Sequence, residues 1–428
     1  MNALGQRVEP LRPLVYDRCF DGSLASMVAP PYDLIGPDRQ AQLYDRSPYN
    51  VVRLELNRDP DRYESSARLL SQWLREGVLV RAAEPAIYLY TQKFQHEGRT
   101  LSRAGFVARF RLDEFSHGRI LPHERTFPAA KKDRLQLLEA TRTNLSSIFG
   151  LYSGEHAELD SLREKVSRRP PMREVTDDLA IGNELRAIEA PDEIAIIQRA
   201  LDTPRVLIAD GHHRYETALE YRRQRRAAEA NPAVLQPYDY VMMTLVACND
   251  PGLVILPTHR LVHRLPREAM DSFPARAKEL FTLQAFADRA HLRRRLAEAG
   301  RGALGIALAH HDALYLIELK DRGAIAVQAV PEQVRQLDVS ILHALVLHQI
   351  FGLDAEAIKA GGNVEYTIDA AGALDAVASG RADGAFLMNP PSIADVERVS
   401  GAGATMPEKS TYFYPKLLTG LLMNPLFD

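Results

Sequence analysis

Cysteine is scarce: Cys19 and Cys248 are the only two in 428 residues. Neither belongs to a C-x-x-C pair, so no disulfide framework and no thiolate zinc site is expected, which fits a reducing compartment. Charge of one sign is not in excess. The 53 Lys and Arg against 56 Asp and Glu leave −3 at pH 7, so nothing overall draws the chain to nucleic acid or to an acidic membrane surface. Long hydrophobic runs are also missing. Val241-Met242-Met243-Thr244-Leu245-Val246-Ala247 falls far short of the roughly 20 residues that span a bilayer. Met1 to Pro13 has no apolar core behind a basic region, so no secretion signal and no membrane partner are expected, and a cytoplasmic location is. No internal repeat and no low-complexity segment is found.

What is present is the composition of a soluble globular protein, 46% hydrophobic and 25% charged. At roughly 150 residues per domain the length implies about two to three lobes. Such a chain can bury a large core without staples.

The central stretch is Asp210-Gly211-His212-His213-Arg214. The β-branched and apolar run Val206 to Ala209 precedes it, and the helix-forming run Tyr215 to Tyr221 follows, so strand, tight turn and helix are expected in that order. Such a turn presents helix-start N–H groups and the positive end of the dipole, which suits phosphate. Gly211 permits positive φ, Asp210 can hold a cation or a hydroxyl, and His212 and His213 can donate, accept or ligate. Arg214 offers a planar fork to phosphate oxygens. The plain alternative is that Asp210 caps the helix and the histidines are surface groups.

Around this stretch, helices are expected over Pro37–Arg46, Asp61–Gly77, Lys131–Ala140, Glu155–Arg169 and Pro191–Leu201, with Trp73 in the core. Strands are expected over Asn50–Leu56, Ser147–Tyr152, Glu184–Glu189, Tyr238–Ala247 and Leu253–Leu256, and a hairpin joins Ile87–Phe94 to Leu101–Leu112 through His96-Glu97-Gly98. Arg222 to Arg226 reads as a solvated last helical turn. From about Leu265 the texture alternates helix and strand, as in a second α/β layer.

Three further constellations carry chemistry. In the polar loop Leu121 to Phe127, Glu124 is the candidate base and His123 its competitor, against a surface turn with a local ion pair. Lys132 and Arg134 stand near a helix start, where cations are poorly placed unless they meet an anion. Lys409, Ser410 and Lys416 form a cationic group around Tyr412, Phe413 and Tyr414. Gly361-Gly362-Asn363 reads as a turn. His123, His212 and His213 match no closed zinc motif.

Pro30-Pro31-Tyr32-Asp33, His123-Glu124-Arg125-Thr126, Asp133-Arg134-Leu135, Ala209 to Leu219, and Met406 to Lys416 with Gly420-Leu421 resemble the domain-of-unknown-function family 1015 of bacteria and archaea. These blocks span nearly the whole chain. The central block followed by Ala218 also resembles the box of the ParB and sulfiredoxin superfamily, most of all the D-G-H-x-R box of archaeal free serine kinases. That resemblance implies a turn holding nucleotide phosphates and Mg²⁺, with an upstream acidic residue activating a hydroxyl. The chain is longer than a free serine kinase, and no cysteine near the box supports sulfiredoxin-like chemistry.

The resulting expectation is a mixed α/β (α+β) protein. It has a ParB/sulfiredoxin-like lobe over residues 1–260, an α/β lobe over 261–400 and a C-terminal segment 401–428 returning to the site. The expected function is phosphoryl transfer, as kinase or phosphatase, on a small hydroxylated metabolite such as serine or phosphoserine. Asp210 would hold Mg²⁺ and act with Glu124, His123 and His212. Gly211, His213, Arg214, Lys132, Arg134, Lys409, Ser410 and Lys416 would bind a phosphorylated small molecule or a nucleotide such as ATP, ADP or CTP. The alternatives are a non-catalytic nucleotide sensor and a ParB-like DNA-associated protein, the latter disfavoured by the acidic balance.

Overall fold

Glu97 and Gly98 both take positive φ, 49° and 75°, as a two-residue hairpin loop requires to match strand twist. They close the antiparallel pair Ile87–His96 and Arg99–Arg111, in register from Tyr88 opposite Val107 to His96 opposite Arg99. The structure is a computed structural model that describes residues 6–17, 23–154, 156–229, 234–321, 330–353 and 363–427. Gly361 and Gly362 lie outside them. The chain divides into two units: residues 1–122, 126–253 and 415–428 form the first, and residues 123–125 and 254–414 the second.

The first unit is built on a nine-stranded sheet. Its strands are β1 (Val8–Glu9), β2 (Ile87–His96), β3 (Arg99–Arg111), β4 (Ile120–Leu121), β5 (Ile148–Tyr152), β6 (Arg173–Thr176), β7 (Gly182–Ile188), β8 (Val206–Asp210) and β9 (Tyr240–Ala247). They lie in the order β4-β8-β5-β9-β3-β2-β7-β6, with β1 against β3. The β4–β8 and β5–β9 pairs are parallel and the rest antiparallel, so the fold is mixed α/β. Strand β9 is buried along its whole length, which explains its unbroken apolar run: a central strand covered on both faces has no polar side to show. Its alternate residues Val241, Met243, Leu245 and Ala247 join a core with Ile148, Val206 and Ile208.

Seven helices of this unit matter here: α1 (Pro37–Arg46), α2 (Val52–Glu55), α3 (Arg62–Arg75), α4 (Pro128–Thr141), α5 (Ala157–Ser167), α6 (Pro191–Asp202) and α7 (His212–Ala227). Helices α4 and α7 pack on each other, as do α3 and α4. Trp73 is 1% exposed, in a second core with Leu43, Val52, Leu54 and Leu70.

The strand expected over Asn50–Leu56 is instead the short helix α2. Asn50 decides the outcome. Its side-chain amide donates to Ser26 O at 2.7 Å and Val28 O at 3.0 Å, and its Oδ1 accepts from Val52 N at 3.0 Å. Those bonds to backbone compete with strand pairing. Arg222 to Arg226 meet the expectation of a solvated turn in part: Arg223, Gln224 and Arg225 are exposed, but Arg222 and Arg226 are half-buried. Arg222 donates to Leu112 O at 2.7 Å and Glu114 at 2.6 Å, and Arg226 pairs with Asp239 and Glu229, so these side chains tie the helix end to neighbouring loops.

The second unit carries a six-stranded antiparallel sheet. Its strands are β10 (His259–Val262), β11 (Phe281–Phe286), β12 (Ala303–Leu308), β13 (Leu314–Leu319), β14 (Val364–Thr367) and β15 (Gly384–Met388), in the order β11-β13-β12-β15-β10-β14. Helices Arg267–Leu280, Arg289–Ala299, Ala370–Ala378 and Ile393–Gly401 accompany it.

Candidate functional site

Strand β8 ends with a change of register. Ile208 stands opposite Gly150, but Asp210 stands opposite Phe149, so two residues on β8 advance against one on β5. Simple alternation would put Asp210 on the same face as Val206 and Ile208, in the core. The bulge at Ala209 turns it away, a recognised means of re-aiming a side chain. Gly211 follows with φ of 94° and serves as the N-cap of α7. A Cβ there would lie 3.0 to 3.2 Å from the Arg214 guanidinium atoms, so the position needs glycine for both backbone and space.

Asp210 is held between two cations. Arg214 Nη2 donates to its Oδ2 at 2.8 Å, and Lys416 Nζ donates to its Oδ1. Burial alone would push this carboxyl up. The Lys416 ammonium and the Arg214 guanidinium outweigh that, with His212 acting in the same direction, and hold it well below the usual carboxylate range. Arg214 is fixed in turn through Nη1, which donates to Ser146 Oγ at 3.0 Å and Ser147 O at 2.8 Å.

Lys416 is carried by a segment bound to β2 and β3. Gln92 Nε2 donates to Lys416 O at 3.0 Å, Leu418 N–H donates to the Tyr90 hydroxyl at 3.3 Å, and Arg103 Nη2 donates to Pro415 O and Gln92 Oε1. Arg103 is 2% exposed, with its guanidinium 4.5 Å from the Phe149 ring centroid. Burial pushes its pKa down to about 10, opposed by the charges of Tyr90, Asp250 and Asp210. Arg214 and Lys416 against Asp210 leave one positive charge in surplus beside the start of a sixteen-residue helix, while Arg103 is answered by Asp250 as well as Asp210. Helix-start N–H groups beside surplus cations are the kind of arrangement that suits an anion.

His212 is buried. His213 accepts from Phe127 N–H through Nε2 at 2.9 Å and stacks on the Phe127 ring. Thr126 Oγ1 and Lys131 Nζ both donate to Glu216 at 2.8 Å. Together these bonds fasten the start of α4 to α7.

Lys132 is exposed and lines a recess of about 470 Å³ with Lys131, Glu216 and Arg223. Arg134 is different: it is buried, pairs with Glu55 Oε2 at 3.0 Å and with Asp133, and lies 4.3 Å from the centroid of Tyr32. Its cationic charge is met by carboxylates. The Tyr32 hydroxyl is pushed up to about 12 by burial, against the opposing fields of Arg214 and Arg134.

The remaining candidates belong to the second unit. His123 is fully buried, with Nε2 2.8 Å from Thr411 Oγ1, its ring edge-on to Phe413, and its carbonyl accepting from Met406 N–H at 2.7 Å. Glu124 Oε1 stands 4.0 Å from His123 Nε2. Lys409 has φ of 51°, and Ser410 is buried and donates to Pro407 O. Thus Asp210, Gly211, His212, His213, Arg214, Lys132, Arg134 and Lys416 lie in one unit, and His123, Glu124, Lys409 and Ser410 in the other.

Both oxygens of Asp210 are engaged by cations, and no group of three His, Cys, Asp or Glu side chains placed to hold a metal occurs among the described residues. The donor set at Asp210 does not fit a protein-held Mg²⁺. No helix among the described residues is long and apolar enough to cross a membrane.

Sequence reasoning missed Arg103, Ser146, Glu55 and Tyr32 as parts of this neighbourhood. Tyr32 had a signal, since Pro30-Pro31-Tyr32-Asp33 stood out as a block. Arg103 had none, because a polar residue in an alternating strand reads as facing solvent.

No curated protein matches this chain. Among solved structures it is similar to a free serine kinase in complex with AMP, at 13% identity over 69% of this chain and 84% of that one, with a TM-score of 0.34. A conserved hypothetical protein from Pyrococcus furiosus matches at 12% identity, over 70% and 89%, with a TM-score of 0.32. SbnI with C-terminal truncation from Staphylococcus aureus matches at 11% identity, over 75% and 87%, with a TM-score of 0.36. The family model described as "Protein of unknown function (DUF1015)" matches residues 8–340, and the chain belongs to that family.

Proposed function

We propose that this chain is a phosphoryl-transfer enzyme, a kinase or phosphatase, acting on a small hydroxylated metabolite such as serine or phosphoserine. The phosphate of a nucleotide such as ATP, ADP or CTP is held at the turn Asp210–Arg214. One observation carries the reading: a single carboxylate, Asp210, lies between Lys416 and Arg214 at the start of α7. Asp210 aligns the two cations and does not neutralise them both. Their surplus charge, with the N–H groups of the first helical turn, suits a phosphate dianion. Phosphoryl transfer asks for little covalent chemistry from the protein and much positioning and charge stabilisation, which a preformed cluster supplies.

The test is ³¹P NMR of the full chain with Mg²⁺, ATP, ADP or CTP, and serine or phosphoserine. Turnover is expected, and Arg214→Ala and Lys416→Ala are expected to abolish it. Turnover unchanged in Arg214→Ala removes this turn from the reaction.

A second reading has its own support. A carboxylate with both oxygens engaged by cations suits binding without metal-assisted chemistry, as in a nucleotide sensor. That reading predicts nucleotide-dependent thermal stabilisation by mass action with no turnover.

A further inference from the structure

A cavity of about 330 Å³ lies in the second unit, which supplies all of its lining. That is near the low end of the roughly 300–1,000 Å³ of ligand pockets. It shares no residue with the turn Asp210–Arg214. One wall is Gly300-Arg301-Gly302, where the chain leaves helix Arg289–Ala299 for β12. Both glycines take positive φ, 67° and 89°, and side chains from three other elements fasten the turn they make. Asn389, just past β15, donates through Nδ2 to Leu296 O at 2.9 Å and Gly300 O at 2.8 Å. Asp338, which opens the short helix Asp338–Ile341, accepts from Gly302 N–H at 2.7 Å through Oδ1. Asp395, in the first turn of helix Ile393–Gly401, accepts from Arg301 Nη2 at 2.7 Å.

These bonds use only part of what the side chains offer. Both amide hydrogens of Asn389 are spent, so its carbonyl oxygen is left to accept. Ser410 is buried and lines the same cavity, and its hydroxyl donates to Pro407 O. Towards a ligand it too can only accept. Arg301 spends one nitrogen on Asp395, whose other oxygen takes Arg398. Two cations therefore share one carboxylate, and the Arg301 side chain, 39% exposed, keeps N–H groups for a planar acceptor. Leu337, Val339, Met388 and Met406 add buried apolar surface to the lining, and the two methionines adapt to apolar groups of varied shape.

The lining excludes the simpler ligands. An anion alone would meet Asp338, and a cation alone would meet Arg301. A zwitterion suits both. Its carboxylate takes the Arg301 fork. Its ammonium, with three donors and no acceptor, takes Asn389 Oδ1 and Ser410 Oγ beside the Asp338 charge. We infer that this cavity binds a free α-amino acid with an apolar side chain, its polar end at Arg301, Asn389 and Ser410 and its side chain among Leu337, Val339, Met388 and Met406.

The experiment is isothermal titration calorimetry of the full chain with L-methionine and L-leucine, with the desamino acid and the methyl ester of methionine, and with L-serine. Saturable one-to-one binding of methionine or leucine is expected. Removing the ammonium or the carboxylate is expected to weaken it about 10- to 100-fold, the range for a hydrogen bond to a charged group. Serine, which lacks the apolar chain, is expected to bind about tenfold more weakly or less well still. Arg301→Gln is expected to weaken methionine binding by about the same 10- to 100-fold. Ala297→Trp fills the cavity from an exposed position that belongs to none of the bonds above, and is expected to abolish binding. Methionine that competes with ADP, or that binds Ala297→Trp as it binds wild type, is held elsewhere, and the assignment fails. It fails also if neither amino acid binds up to about 10 mM, beyond the millimolar range of weak ligands, or if the desamino acid binds as tightly as methionine. Ala297→Trp and the two analogues decide the outcome even where Arg301→Gln does not fold.

Discussion

The Lys416 ammonium donates to Oδ1 of Asp210 across 206 positions of sequence. It closes a bridge whose other end is the Arg214 guanidinium on Oδ2. Because the folded carboxyl is held below its ordinary range by these cations, its contribution to stability has a definite sign. An Asp in an unfolded chain titrates near about 3.9. Above that pH the full contribution is present, and it is lost as pH falls below it towards the depressed folded value. Asp210→Asn is therefore expected to be less stable than wild type at pH 5 to 8, with the gap narrowing below about pH 4. Urea midpoints across this range measure it. Lys416→Met is expected to cost about 2–3 kcal/mol, less than complete loss of a buried pair because Arg214 still faces the carboxylate.

Gly211 supports a second prediction. Its φ of 94° opposes a side chain, and so do the guanidinium atoms of Arg214, 3.0 to 3.2 Å from where a methyl carbon would sit. Gly211→Ala is expected to lose about 1–2 kcal/mol from the left-handed backbone. It is also expected to weaken ADP binding, because Arg214 must shift by a few tenths of an ångström. A variant with an unchanged urea midpoint and unchanged ADP shift would show that Arg214 is not positioned by this contact.

The difference between these two sites also explains what could be read beforehand. The turn at Asp210 was visible because everything that shapes it is local: an apolar strand, a glycine, and polar residues opening a helix. The bulge at Ala209 was not visible, since it depends on how β5 pairs. Lys416 stood out as a cation among aromatics, but its partner lies too far away in sequence for spacing to identify. Glu55 was hidden by an error of local structure. Val51-Val52-Arg53-Leu54-Glu55-Leu56 looks like a strand until the Asn50 side chain takes the backbone bonds that fix α2.

Arg103 supports a third prediction. It is buried beneath the segment that carries Lys416, and its Nη2 serves both Pro415 O and Gln92 Oε1. Arg103→Met removes those donors and leaves both acceptors buried, at about 1–3 kcal/mol for each group left unsatisfied. Arg103→Lys is not expected to restore stability, since an ammonium lacks the planar fork. Both variants are expected to weaken ADP binding by releasing Lys416. Wild-type ADP affinity in Arg103→Met would show that the 415–418 segment is held without it.

The second unit titrates by a different route. His259 is buried, its Nδ1 accepting from Met388 N–H at 3.2 Å. Burial first, and then the charges of Arg260 and Arg293 against the opposing Asp369, push it down to about 4. His343 is pushed down to about 3 by burial and by Arg260. Both must fold neutral, so their contribution is whole above the unfolded histidine value of about 6.5 and is lost as pH falls through the folded values. Each histidine is expected to remove up to about 1.4 kcal/mol per pH unit between pH 6.5 and its folded value. His259→Asn keeps an acceptor for Met388 N–H and cannot take up a proton in this range. It is expected to flatten the urea midpoint between pH 6.5 and 4. A slope as steep as that of wild type would mean that His259 does not govern the acid sensitivity of this unit.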